Sequence, residues 1–197
     1  MRSALDQAQR SRTDVEQMQN HQGLQRKIAG SVGPLYSSYR ADTCPEVQIA
    51  SPIFADMISE IEQDVDVILL ETVASVNHAR SALTAAQSST DKPVWLAVTC
   101  SDEEEGILRS GEDLFDLKSV VEEFKPERIL INCSVPEVIK AALAKISTFG
   151  IPFGAYANGF NQITDELIHE KDLSAKLHNF AGKRQDLTPE KYADFVM

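Results

Sequence analysis

The sequence predicts an α/β protein built on a parallel sheet, an incomplete (β/α) barrel of TIM type with about five of the eight strand-helix units present. Three observations carry that prediction. Short β-branched runs alternate with amphipathic helical stretches about 25 to 40 residues apart, the spacing of parallel strands joined by right-handed crossovers. The run Val65–Thr72 is apolar almost throughout, without alternation, as in a strand covered on both faces. The runs also end in hydrogen-bonding or thiol residues, and a parallel sheet brings all such ends to one rim.

In chain order, residues 2–20 carry Ala4, Leu5, Ala8, Val15 and Met18 among Gln, Arg and Asp, the thin apolar stripe of a surface helix. No strand precedes it, so the chain is expected to start in mid-unit. The first strand is Lys27–Val32, closed by Gly33-Pro34; Gly30 and Gly33 permit either a close backbone approach or a tight turn. A polar loop from Leu35 to Pro45 holds Tyr36, Tyr39, Arg40 and Cys44. A helix follows with Ile53, Phe54, Met57, Ile58 and Ile61 on its apolar side.

The second strand, Val65–Thr72, ends in Glu71 and Thr72 and leads into a helix from about Ser75 through Ala86. The third, Pro93–Cys100, ends in Thr99 and Cys100. An acidic loop, Asp102–Glu105, and the turn Arg109-Ser110-Gly111 then precede a helix carrying Leu114, Phe115, Leu117, Val120, Val121 and Phe124. The fourth, Arg128–Ser134, delivers Asn132, Cys133 and Ser134 at its tip, and Pro136 opens a helix reaching Ile146. The fifth, Pro152–Asn158, ends in Tyr156, Asn158 and Gly159. A polar, irregular stretch with His169, His178 and Arg184 follows, until Thr188-Pro189 starts a last helix running to Met197. No GxGxxG or P-loop follows any strand, which argues against a nucleotide-binding open sheet. An ordinary (β/α)8 barrel takes about 250 residues. The 197 residues here fit a single partial barrel domain, 1–197, missing strands at both ends.

Apolar residues make up 43% of the chain and charged ones 25%, the balance of a soluble globular protein. The formal net charge of -11 argues against nucleic acid or an anionic membrane as partner, since both reward Lys and Arg surfaces. No apolar run approaches the ~20 residues of a membrane span, and the N-terminus has no signal-peptide h-region. The 3 cysteines are widely spaced with no CxxC, which fits a reducing cytoplasm and supplies no disulfide framework.

The strand ends put Ser31, Glu71-Thr72, Thr99-Cys100, Asn132-Cys133, Tyr156 and Asn158 on one rim, suited to a small polar ligand with or without a metal. The plainer reading is that polar residues mark where strands stop. Cys133 is open to three roles: a zinc thiolate, a nucleophile, or a small buried hydrophobe. None of His21, His78, His169 and His178 falls at a strand tip, which counts against a Cys-His pair. A zinc site closed by Cys44, Cys100 and Cys133 is disfavoured, because Cys44 would have to come from a loop. Glu71 at a buried strand end needs a partner, either a ligand ammonium or an arginine across the mouth. Asp102–Glu105 reads as a solvated loop.

These residues together resemble the homocysteine S-methyltransferase family, whose homocysteine-binding domain is a zinc-dependent (β/α)8 barrel. The matching segments are Ala29-Gly30-Ser31-Val32-Gly33-Pro34, Leu70-Glu71-Thr72, Pro93-Val94-Trp95 with Thr99-Cys100, Leu108-Arg109-Ser110-Gly111, Asn132-Cys133, and Tyr156-Ala157-Asn158-Gly159. The resemblance implies methyl transfer from a methyl donor to the sulfur of homocysteine, a step of methionine biosynthesis. It implies zinc held by three cysteines, of which Cys133 matches one. The other two belong to a Gly-Gly-Cys-Cys motif on the family's last strand, which this sequence does not contain. It implies that Glu71 holds the substrate's amino group, with Asn158 near the amino-acid moiety and Ser31 on the substrate side. The first two strands and the last strand of the family barrel are also unmatched.

The expectation is therefore a truncated family member with little or no activity by itself and no catalytic residue assigned within the chain. The alternative is a non-catalytic amino-acid-binding or interaction module from the same barrel, with an oligomer covering the open sheet edges. A third reading is a different barrel enzyme, such as a lyase, with Glu71 as general base. S-methylmethionine, S-adenosylmethionine, a betaine and a methyl-folate are all compatible donors.

Overall fold

The computed structural model describes residues 2–17, 26–163 and 184–196. His21, His169, His178 and the outer ends of the first and last predicted helices lie outside the described residues. The first half comprises α1 (Arg2–Gln17), β1 (Ala29–Val32), α2 (Val47–Ser59), β2 (Val67–Val73), α3 (Val76–Ser89) and β3 (Val94–Val98). The second comprises α4 (Leu117–Phe124), β4 (Arg128–Asn132), α5 (Pro136–Ile146), β5 (Phe153–Tyr156) and, after Arg184, α6 (Pro189–Val196).

The strands form one 5-stranded sheet in the order β1-β2-β3-β4-β5, every neighbouring pair parallel. Sequential order with a helix after each strand is the winding of a barrel segment, not of a doubly wound sheet. The sheet is not closed: among the described residues β1 and β5 each pair on one side only. No helix of the described residues is long and apolar enough to cross a membrane.

Strand alternation sorts side chains onto two faces. On the helix side, Val32, Ile68, Leu70, Leu96, Val98, Ile129 and Ile131 are 2% exposed or less. They pack against Phe54 and Ile58 of α2, Ala79, Ala82 and Leu83 of α3, Val120 and Val121 of α4, and Ile139 and Ala142 of α5. Each large apolar side chain so buried contributes about 1.5–3 kcal/mol. A Cβ on Gly30 would lie 2.8 Å from Ile61 Cδ1 and 2.9 Å from Val65 Cγ1, so its close approach is to the core. Ile61, expected on the preceding helix, falls just beyond the end of α2 and fills that space. Around Gly33 a Cβ would meet nothing within 4 Å.

The other face carries Ser31, Leu69, Glu71, Asn132, Gly154 and Tyr156. Leu69 and Glu71 keep partial exposure there, so β2 is sealed on its helix side and only partly covered on the other. The register between β2 and β3 passes from Leu70↔Leu96 to Val73↔Val98, one extra residue on β2. This β-bulge breaks the alternation and turns two consecutive side chains, Glu71 and Thr72, toward the same face.

Local chemistry sets the helix starts. Ser75 caps α3 by accepting from the His78 amide at 3.0 Å, and the helix runs on past Ala86 to Ser89. The helix expected from Leu114 opens as a 3-10 turn, with Asp113 accepting from the Phe115 amide at 2.8 Å, and becomes α-helical at Leu117. α1 is held at the surface by Arg12 against Asp66 at 2.8 Å.

Candidate functional site

Glu71, on β2, is gripped from both edges of the sheet. The Ser31 hydroxyl on β1 donates to its Oε2, and the Tyr156 hydroxyl on β5 donates to its Oε1 at 2.8 Å. β2 and β5 are separated by three inter-strand steps of about 4.8 Å each, so the sheet must curl for their tips to meet. A carboxylate offers about four acceptor positions, and these hydroxyls use two. Among the described residues no lysine or arginine pairs with Glu71, so the arginine expected as one of its two partners is replaced by hydroxyls.

Tyr156 lies opposite Asn132 in the β4–β5 register. Burial, then its bonding to Glu71, raises the Tyr156 hydroxyl above its ordinary pKa, while a hydrogen bond with the Asn132 side chain acts the other way. The tyrosine therefore stays protonated and donates. The Asn132 amide continues the network, donating to Thr72 Oγ1 at 3.1 Å and to Cys133 Sγ at 3.3 Å. Thr72 Oγ1 in turn donates to Cys133 Sγ at 3.6 Å. Ser31, Glu71 and Tyr156 thus form one hydrogen-bonded group on the rim and Asn132, Thr72 and Cys133 a second, the two adjoining where Asn132 and Tyr156 pair in the β4–β5 register.

Three residues around the thiol have left-handed backbones: Tyr39 at φ 69°, Thr72 at 59° and Cys133 at 50°. Left-handed conformations in non-glycine residues cost on the order of 1–3 kcal/mol each and concentrate at functional sites. Tyr39 makes a side-chain hydrogen bond with Cys133, and burial, followed by that thiol, pushes its hydroxyl above the ordinary value. The sequence shows Tyr39 only as one residue of the loop after β1 and gives it no role, because only its tertiary neighbours distinguish it from Tyr36, which is 68% exposed.

The acidic loop corrects an expectation. Glu103, Glu104 and Glu105 are exposed, but the Asp102 side chain is 0% exposed and meets that of Arg109, 2% exposed, at 2.9 Å. Asp102 also accepts from the amides of Val135 at 2.9 Å and Ile163 at 2.8 Å. Arg109 donates to the Ile163 carbonyl at 2.7 Å and the Cys133 carbonyl at 3.4 Å, and lies 5.2 Å from the centre of the Tyr39 ring. The pair therefore ties the Cys133 turn, the Tyr39 loop and the segment after β5 into one unit. A four-residue acidic run hides its single buried member; the nearby Arg109 was the available signal.

Asn158 packs beside this turn, its amide donating to the Ser134 carbonyl at 3.0 Å and its Oδ1 accepting from Phe160 at 3.2 Å. It joins the cluster through main chain, with no hydrogen bond to Glu71. Two buried atoms at the rim, Asn132 Oδ1 and Asn158 Nδ2, have no hydrogen-bond partner among the described residues. An unsatisfied buried polar atom costs about 1–3 kcal/mol, a penalty that a polar ligand would remove.

Zinc, which the resemblance implies, does not fit the described residues: among them no three His, Cys, Asp or Glu side chains form a metal-binding group. Cys133 is surrounded by Tyr39, Thr72 and Asn132. Cys44 points elsewhere, with its thiol 3.6 Å from the Pro45 carbonyl. Cys100 is 0% exposed, and burial pushes its thiol up to about 12, the state of a core hydrophobe. The described residues therefore supply one cysteine at the rim where tetrahedral zinc needs at least three protein ligands.

Residues 1–197 match the family model described as homocysteine S-methyltransferase. The fold resembles the apo form of the homocysteine methyltransferase MmuM from Escherichia coli, with a TM-score of 0.68 and 19% identity over 90% of this chain and 64% of that one. For the oxidized form of the same enzyme the TM-score is 0.66 with 20% identity, over 90% of this chain and 62% of that one. At these identities the likeness concerns the fold, and the chain spans somewhat less than two thirds of those proteins. No curated protein matches the chain.

Proposed function

Because the chain belongs to the homocysteine S-methyltransferase family, we propose that its rim binds homocysteine for methyl transfer to the substrate sulfur. The observation that carries this reading is the Glu71 carboxylate, held by Ser31 and Tyr156 with acceptor positions to spare and no cationic partner among the described residues. An α-ammonium group is the complement of such an acceptor. Asn132 and Asn158, each with a buried amide atom unpartnered among the described residues, offer polar contacts to the rest of the amino acid.

In this reading Glu71 anchors one end of homocysteine, and the sulfur lies toward the Cys133 side of the rim. Fixing both ends orients the sulfur for in-line attack on the donor methyl carbon. As the new S–C bond forms, the donor–methyl bond breaks and its electron pair leaves with the donor. The substrate thiol must first lose its proton, which passes to solvent. Cys133 is proposed as a metal ligand, contributing one thiolate; zinc dependence would rest on ligands beyond the described residues. We also place the protein in the cytoplasm, where free Cys44, Cys100 and Cys133 stay reduced.

The single rim cysteine among the described residues favours a second reading, an amino-acid-binding module that does not turn over. Calorimetric titration with homocysteine, paired with methionine formation from each of the four donor classes, separates the two. Binding lost in Glu71→Gln together with turnover supports the transferase; the same binding without turnover supports the module. No binding of homocysteine to the native chain rejects both.

A further inference from the structure

The Tyr156 hydroxyl does more than terminate a strand. It donates to Glu71 Oε1 at 2.8 Å while Ser31 holds Oε2, so the two oxygens are fixed from opposite edges of the sheet. On the neighbouring strand Tyr156 is paired in register with Asn132, whose side-chain amide reaches Thr72 at 3.1 Å and Cys133 at 3.3 Å. Tyr156 thus bonds the carboxylate directly and neighbours, in register, the residue whose amide leads to the thiol. Removing its oxygen would leave the carboxylate held through Oε2 alone and free to rotate about its side chain.

We propose that Tyr156 is a positioning residue that fixes the Glu71 carboxylate, and that this makes the rim selective for ligands carrying an α-ammonium group. The inference rests on the amino-acid-binding reading of the rim. Hydrogen bonds to charged groups are among the stronger ones, so losing the Tyr156 donor should matter at the ammonium end. A residue that merely supported the fold would affect every ligand alike.

The test uses two probes of equal length, L-homocysteine and its deamino analogue 4-sulfanylbutanoate, titrated into the native chain and Tyr156→Phe, with circular dichroism checking the fold. The native chain should favour homocysteine. In Tyr156→Phe, homocysteine affinity should fall about tenfold while the analogue's stays unchanged. No loss, or equal loss for both probes, overturns the proposal. A native chain that binds both probes equally overturns the amino-acid reading itself, and Tyr156 selectivity with it. Should Tyr156→Phe fail to fold, tyrosine 13Cζ labelling of the native chain gives the answer. The Tyr156 resonance should shift with homocysteine and stay put with the analogue; indifference to homocysteine overturns the proposal.

Discussion

Asp102 and Arg109 meet at 2.9 Å with both side chains sealed from solvent, and between them they bond to main-chain atoms of Cys133, Val135 and Ile163. The pair sits behind the rim and sets the shape of three segments that carry candidate site residues. Removing one partner leaves a buried charge without its counter-ion. Asp102→Asn or Arg109→Met should each lower unfolding free energy by about 3–5 kcal/mol, measured by urea denaturation. The double variant Asp102→Leu/Arg109→Met should lose less than the sum of the two. Strict additivity would show that the pair is not coupled.

The two glycines flanking the end of β1 should behave oppositely. In Gly30→Ala the new methyl would sit 2.8 Å from Ile61 Cδ1, and overpacking of this kind costs about 1–3 kcal/mol. In Gly33→Ala it meets nothing within 4 Å, so stability should stay within about 0.5 kcal/mol of native. Thermal denaturation of the two variants side by side makes the comparison.

Cys133 holds φ at 50°, a conformation that glycine adopts freely. Cys133→Gly should therefore raise the unfolding free energy by about 1 kcal/mol, even though the thiol contacts are lost. A drop in stability would mean that the sulfur contacts outweigh the backbone strain.

His78 is 3% exposed, stacks on Phe54 with ring centres 5.4 Å apart, and accepts from the Ala74 amide through Nδ1 at 3.3 Å. Burial lowers its pKa to about 4 in the folded chain, against about 6.5 unfolded. The unfolded state therefore takes up the proton first as pH falls. Stability from this group is full above about pH 6.5 and declines toward pH 4, by a total on the order of 3 kcal/mol. Urea midpoints of native chain and His78→Gln should diverge at pH 7 and converge near pH 4.5; parallel profiles would refute it.

The five strands, their parallel pairing and their polar tips were legible in the chain because each is written locally, in β-branched runs, in the turn residues after them and in the helical period between. Glu71 and Cys133 stood out for the same reason: polar or thiol groups abruptly ending apolar runs. Which groups they meet was not legible. The bulge at Glu71-Thr72 leaves no composition signal, yet it decides that both side chains face the rim. Tyr156 and Glu71 lie 85 residues apart in the chain, and only the curl of the sheet brings them into one hydrogen bond. Asp102 looks like its three exposed neighbours until Arg109 folds back over it. Local sequence determined where strands and helices form, because short-range sterics and hydrophobic period act within a few residues. Tertiary structure decided the partners of every charged group at the rim, because hydrogen bonds and ion pairs between distant segments depend on curvature and register that no single stretch encodes.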